Sequence, residues 1–250
     1  MSSVTPSLDS SGLLSAAEDH FLHGHLLSGW IVDYIDLEES LAVGSIAQEE
    51  LAHAATLMSV HGLDEVGRDV FVYQRPAQDW RPTRLLAHRL HDWPSTVVRA
   101  LLLAHAAAVR SERMSASDDP TIRDAGIVLA AEQQLHVMHW ERWVQVLGGD
   151  ARTADELRQR AAVVLPLGGD VFGSASSSSE PTPDRDGHAA WMSRVETVLR
   201  EVGVPVRSLG DGPSERSPAD EQPELLQVLA EIRMLRVEAG FGDGVRGLDR

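Results

Sequence analysis

The chain has 250 residues, no cysteine and a formal net charge of −16, from 38 acidic and 22 basic residues. The missing cysteines exclude disulfides, thiolate–zinc sites and thiol nucleophiles, and the acidity opposes nucleic acid and anionic membranes while suiting a partner with a basic face. A hydrophobic fraction of 43% is ample for a packed core.

The opening MSSVTPSLDSSG has neither the basic nor the apolar region of a secretory signal. No apolar run approaches the roughly 18 residues that span a bilayer. Together these predict a cytoplasmic protein. Helical periodicity runs throughout, and alternating β-branched runs are nearly absent. A first helix is predicted from Ser15, because Ser15-Ala16-Ala17-Glu18 reads as a capping box, and runs through FLHGHLLSGWIVDY. A second begins near Leu37 or Glu38, with acids in its first turn, and ends near Gly62. After a long connection, RPTRLLAHRLHDW gives a short helix. Pro94-Ser95 opens a third long helix, and a fourth runs from about Thr121 to Gly148-Gly149. Four helices of about 20 residues are the ingredients of a four-helix bundle. ADELRQRAAVVL, AAWMSRVETVLREVG and PELLQVLAEIRMLRVEAG are further helices. GSASSSSEPTPDRDG and SLGDGPSERSPADEQP, between them, read as loops. The expected organisation is a bundle over residues 1–172, a flexible Ser/Pro-rich loop over 173–187, and C-terminal helices over 188–250 packing on the bundle.

The second helix carries the chemistry. Its stripe Val43, Ala47, Glu50, His53 or Ala54, Leu57 turns Glu50 and His53 inward, while Glu49 falls on a small, polar face. A buried carboxylate costs several kcal/mol unless it is paired or metal-bound. The fourth helix reads as Val128, Leu129, Glu132, His136, His139, Trp143, Val146. Glu and His projecting inward from facing helices is the pattern of di-iron carboxylate proteins, and these donors suit iron or manganese. The candidate ligands are therefore Glu50, His53, Glu132 and His136. The fourth helix departs from the Glu-x-x-His spacing, since Gln133 stands three residues before His136. The first helix offers Glu18, His25 and Asp33 around a midpoint at Gly29; the third offers His105 beside Ala104. His105, His139 and Asp33 are weaker candidates. His20, His23 and His25 read as solvent-facing or loosely hydrogen-bonded, and Trp140 and Trp143 as core. Neither a phosphate-binding glycine loop nor a G-x-S-x-G nucleophile motif occurs.

Several segments in order, HGHLLSGWIVDYIDLEE, LEESLAVGSIAQEELAHAATLMSVHG, AAEQQLHVMHWERWVQVLGGD and ELLQVLAEIRMLRVEAG, resemble the C subunit family of bacterial phenylacetyl-CoA epoxidase. The resemblance implies an all-α, ferritin-like four-helix bundle with additional C-terminal helices. It implies a scaffold-type subunit, with a degenerate site, that pairs with a di-iron catalytic chain in phenylacetate degradation. Under it, the family acids of the first and third helices fall on Gly29 and Ala104. The family Asp and Gln of the second helix fall on Glu49 and His53, where QEELAH is closer to the catalytic subunit's own motif. Three readings follow. The first is a non-catalytic subunit of a multicomponent monooxygenase, whose partner is a ferritin-like catalytic oxygenase subunit, or a copy of itself, and which meets acyl-CoA only indirectly. The second is a stand-alone di-iron or mono-iron oxygenase or oxidase using Glu50, His53, Glu132 and His136, with Asp33 or His105 substituting. The third is a binding or regulatory bundle. The cofactor is accordingly none, or iron in an incomplete di-iron site.

Overall fold

The computed structural model describes residues 10–32, 36–173, 184–206 and 214–236. Every regular element among them is helical. In chain order these are α1 (Ser10–Ser28), α2 (Leu37–Val60), α3 (Glu65–Asp69), α4 (Arg84–Ala87), α5 (Trp93–Ser115), α6 (Pro120–Gly149), α7 (Ala154–Val164), α8 (Arg185–Glu201) and α9 (Pro223–Arg236). α1, α2, α5 and α6 form an all-α, ferritin-like bundle; α8 packs on α5 and α6, whereas α9 packs on α4 and on residues 70–74 and 219–221. Asp33, residues 174–183 of the expected Ser/Pro-rich loop, 207–213 of the second loop, and 237–240 of the expected last helix lie outside the described residues.

Aspartates set the starts of the long helices. Asp36 accepts from Glu39 N at 2.7 Å, Asp92 from Ser95 N at 2.8 Å, and Asp119 from Thr121 N and Ile122 N at 2.7 and 3.2 Å. Each satisfies N–H groups that have no partner within the first turn. Pro94 and Pro120 sit in the first turns they cap, where no N–H is needed. α1 differs from expectation. It is already helical at Ser10, so Ser15 is an interior residue and no cap. The Ser15 hydroxyl instead accepts from Arg216 Nη1 at 2.8 Å, and Glu18 forms an ion pair with Arg75 and accepts from Arg81 N. α1 also ends at Ser28, so its middle is near His20, and Gly29 opens an exposed turn beyond it.

α1 and α2 form one antiparallel hairpin, α5 and α6 another, and α2 faces α6. Both hairpins close on glycine. A Cβ on Gly24 would lie 2.8 Å from the Ala47 carbonyl oxygen, and one on Gly126 would lie 2.4 Å from Ser115 N. α5 is the central helix, buried without a break from Ser95 to Val109 under α6, α7 and α8. One end of the bundle is filled by Trp93, which packs on Trp30, Trp140 and Trp143 at centroid distances of 5.2, 5.9 and 5.1 Å. On α8, Trp191 is fully buried and donates through Nε1 to the Leu102 carbonyl at 2.9 Å.

The segment before α9 is tied down by Arg216. Its guanidinium is buried and meets Asp19 of α1 at 2.9 and 2.7 Å, and also reaches the Arg81, Asp170 and Val171 carbonyls. Asp19 accepts as well from Arg110 Nη1 at 3.3 Å and from Thr83 N at 3.1 Å.

Candidate metal centre

The α2 stripe sends Glu50 and His53 into the bundle, each 2% exposed. α1 answers with His20 and His23, one turn apart and both buried, on the face shared with Ala16 and Leu27. α6 answers with Gln133 and His136, again three apart and buried. The spacing three apart therefore recurs on α6 as Gln133-x-x-His136, with an amide in the acid's place.

Glu50 is the hub. Its Oε2 is 2.5 Å from His20 Nδ1 and 3.8 Å from His23 Nδ1. Its Oε1 accepts from His136 Nδ1 at 2.8 Å and from Gln133 Nε2 at 3.0 Å. Gln133 Nε2 is also 3.0 Å from His53 Nδ1. On the rim, His136 Nε2 meets Glu49 at 2.7 Å and His53 Nε2 meets Glu132 at 2.7 Å; each of these glutamate side chains is 45% exposed. The His20 and His136 rings flank His53 at 5.4 and 5.7 Å.

Protons balance these charges. Burial alone raises the Glu50 carboxyl, but His20 beside it and the hydrogen bonds from His136 and His20, with His23 close by, outweigh burial and hold it well below the ordinary value. Burial likewise opposes a charge on His136, yet its bonds to Glu50 and Glu49 raise it above an ordinary histidine. A protonated His136 donates at both nitrogens, one to each carboxylate. His53 is held low by burial and by His20, and is neutral. Because Glu132 can only accept, the His53 proton sits on Nε2 and Nδ1 is left as the acceptor for Gln133. Burial, helped by Arg99, also holds His23 low.

The structure thus brings Glu50, His53, Glu132 and His136 into one cluster and adds three residues that the sequence reading set aside. His20 and His23 are buried, not solvent-facing, and Gln133 is buried at the centre. Glu49, read on a small, polar face, is half-exposed but bonded to His136. Glu132 is on the rim, because α6 is rotated by one residue from the stripe read in the sequence: its inward line is Leu129, Gln133, His136, Trp140, Val144, Leu147. His139 lies further along, 3.0 Å from Glu39. His105 faces the opposite side of α5, in a cleft of about 350 Å³ shared with Glu141, Arg194 and Thr197. Burial lowers its pKa to about 4.

A di-iron pair requires a carboxylate from each of two helices and a Glu-x-x-His from each of the other two. Here Glu50 is the one buried acid of the cluster. α1 supplies imidazoles. α5 supplies Ala104 and the buried guanidinium of Arg99, which donates through Nη1 to the His88 carbonyl at 3.2 Å. α6 supplies an amide. This donor set does not fit two irons: their charge needs several carboxylates, and the one present already accepts from His20, Gln133 and His136. One ligand atom each from His20, Glu50 and His53 does fall within 4.8 Å of the others, a two-histidine, one-carboxylate grouping of the kind that holds a single ion.

No helix among the described residues is long and apolar enough to cross a membrane. No curated protein matches the chain. A family profile described as phenylacetic acid catabolic protein matches residues 9–208, a span that takes in the whole bundle and α8. The chain therefore belongs to the phenylacetic acid catabolic protein family.

Proposed function

We propose that this chain is a non-catalytic, scaffold-type subunit of a phenylacetyl-CoA epoxidase-like multicomponent monooxygenase, paired with a ferritin-like catalytic chain that carries the iron. One observation carries the reading: the only buried carboxylate of the cluster is Glu50, and both its oxygens are engaged by His20, His136 and Gln133. Family membership supplies the phenylacetate context. On this reading the acyl-CoA is held by the partner, and the helices after residue 188 buttress the bundle. A docking face is supported by Leu37 and Leu41 on α2 and Leu135 and Met138 on α6, which are 56 to 66% exposed on helices that lie side by side. Apolar side chains grouped in this way mark protein interfaces.

The test is co-expression with a family member that has two intact Glu-x-x-His helices. The expected result is a hetero-oligomer with iron confined to the partner. A chain that elutes alone, or only with copies of itself, sinks the proposal.

The grouping of His20, Glu50 and His53 favours a second reading, an enzyme using a single ion. It predicts about one tightly held iron per chain in protein expressed with iron supplied.

A further inference from the structure

We infer that the Gln133 amide occupies the cation's place in this bundle and is the residue that keeps the cluster free of metal. The inference rests on the non-catalytic reading and explains how the site is closed. A cation held by a Glu-x-x-His helix sits where a carboxylate oxygen and the imidazole nitrogen three residues later converge. On α2 that point lies between Glu50 Oε1 and His53 Nδ1, and Gln133 Nε2 stands there, 3.0 Å from each. An amide NH₂ has two hydrogens, one for each acceptor. Turning the amide round would set Gln133 Oε1 against Glu50 Oε1, two acceptors with no proton between them, so the orientation is dictated. The remaining end, Gln133 Oε1, is buried with no hydrogen-bond partner. Buried polar atoms are rarely left so; the side chain is placed for its NH₂ group.

The surroundings are otherwise ready for a ligand. Glu132 accepts the His53 Nε2 proton at 2.7 Å, which aims the Nδ1 lone pair inward, the arrangement by which carboxylates orient metal-binding histidines. His20 and Glu50 are within ligand range of His53. Exchanging the NH₂ of residue 133 for an oxygen would replace a neutral donor with a second buried carboxylate facing Glu50, and two such groups need a cation or a shared proton between them. The class of ion is a divalent transition metal that accepts imidazole, such as Co(II), Fe(II) or Zn(II).

The experiment compares wild type, Gln133→Glu and Gln133→Ala, each stripped with chelator, equilibrated with Co(II) and dialysed. Cobalt per chain is read by mass spectrometry, ligand type by visible absorption, and coupling to the fold by the shift in Tm. The expected result is little cobalt and no Tm shift for wild type. For Gln133→Glu it is roughly one ion per chain and a metal-dependent rise in Tm, lost when His53→Ala is added. Gln133→Ala opens the position without adding a ligand and binds more weakly, through His20, Glu50 and His53. Gln133→Glu that folds only when cobalt is present also supports the inference. Both variants folded by circular dichroism and still empty, beside an empty wild type, overturn the inference alone. Firm stoichiometric binding by wild type overturns both it and the non-catalytic reading.

Discussion

Glu50 accepts from His20, Gln133 and His136 while almost wholly withdrawn from water, so its removal leaves several buried donors without an acceptor and His136 with Glu49 alone. Glu50→Ala is expected to lower stability by about 3–5 kcal/mol; Glu49→Ala, at the half-exposed rim, by about 1 kcal/mol or less. The pair also sets a pH dependence. The folded pKa of Glu50 is depressed, so its contribution is present above the unfolded value of 4.5 and is lost as pH falls through the lower folded value. The folded pKa of His136 is raised, so its contribution is full below the unfolded value of 6.5 and is lost as pH rises through the higher folded value. The stability difference between wild type and His136→Gln in urea titrations should therefore be largest between pH 4.5 and 6.5 and shrink above that window. A difference that grows toward pH 8 would contradict the charged His136. Glu50 and His53 were legible because the apolar stripe of α2 has one phase. Gln133 was not, because α6 also exposes Val128, Leu135, Met138 and Val146, so its hydrophobic pattern is consistent with two rotations one residue apart. The spacing of Gln133 and His136, matching that of Glu50 and His53, was the signal that separates them.

At the scale of elements, the long helices were readable from periodicity and from the Pro, Asp and Gly residues at their ends. The exception is α1, where a capping-box match at Ser15 hid an earlier start. That five-residue shift, about one and a half turns, and an expected end beyond Ser28 moved the apparent midpoint toward Gly29 and made His20 and His23 look peripheral, although Ala16, His20, His23 and Leu27 keep a core spacing. Backbone proximity between helices leaves no signal in one sequence except small residues. Gly126 is such a residue: a Cβ there would meet Ser115 N at 2.4 Å and the Met114 Cβ at 2.6 Å, and helix backbone cannot yield as a flexible side-chain end can. Gly126→Ala should push α6 off the end of α5 and destabilise by about 1–3 kcal/mol. Gly149, at the end of the same helix, has nothing within 4 Å of a Cβ, and Gly149→Ala should be neutral or stabilising by up to about 1 kcal/mol. Equal Tm values for the two variants would show that the close approach of α5 and α6 is not rigid.

For the molecule as a whole, the contact least visible in sequence joins Arg216 to Asp19, across almost the full length of the chain. Arg216 stands in a segment that reads as a polar loop, yet its side chain is 1% exposed. Burial alone would raise the Asp19 carboxyl, but Arg216 and Arg110 outweigh it and hold the group below its usual value. Without Arg216, Asp19 keeps only the longer contacts from Arg110 and Thr83 N, and a buried carboxylate is left under-compensated. Arg216→Met is therefore expected to cost about 3–5 kcal/mol, and Asp19→Leu combined with Arg216→Met much less, because removing both charges ends the desolvation penalty along with the attraction. The two arrangements differ in what a protease reads. If the segment from 214 through α9 is held to the bundle by this pair, Arg216→Met should be cut within it under conditions where wild type and the double variant resist, and urea unfolding should remain one transition. If the C-terminal helices are an independent appendage, Arg216→Met should leave the unfolding of the bundle unchanged.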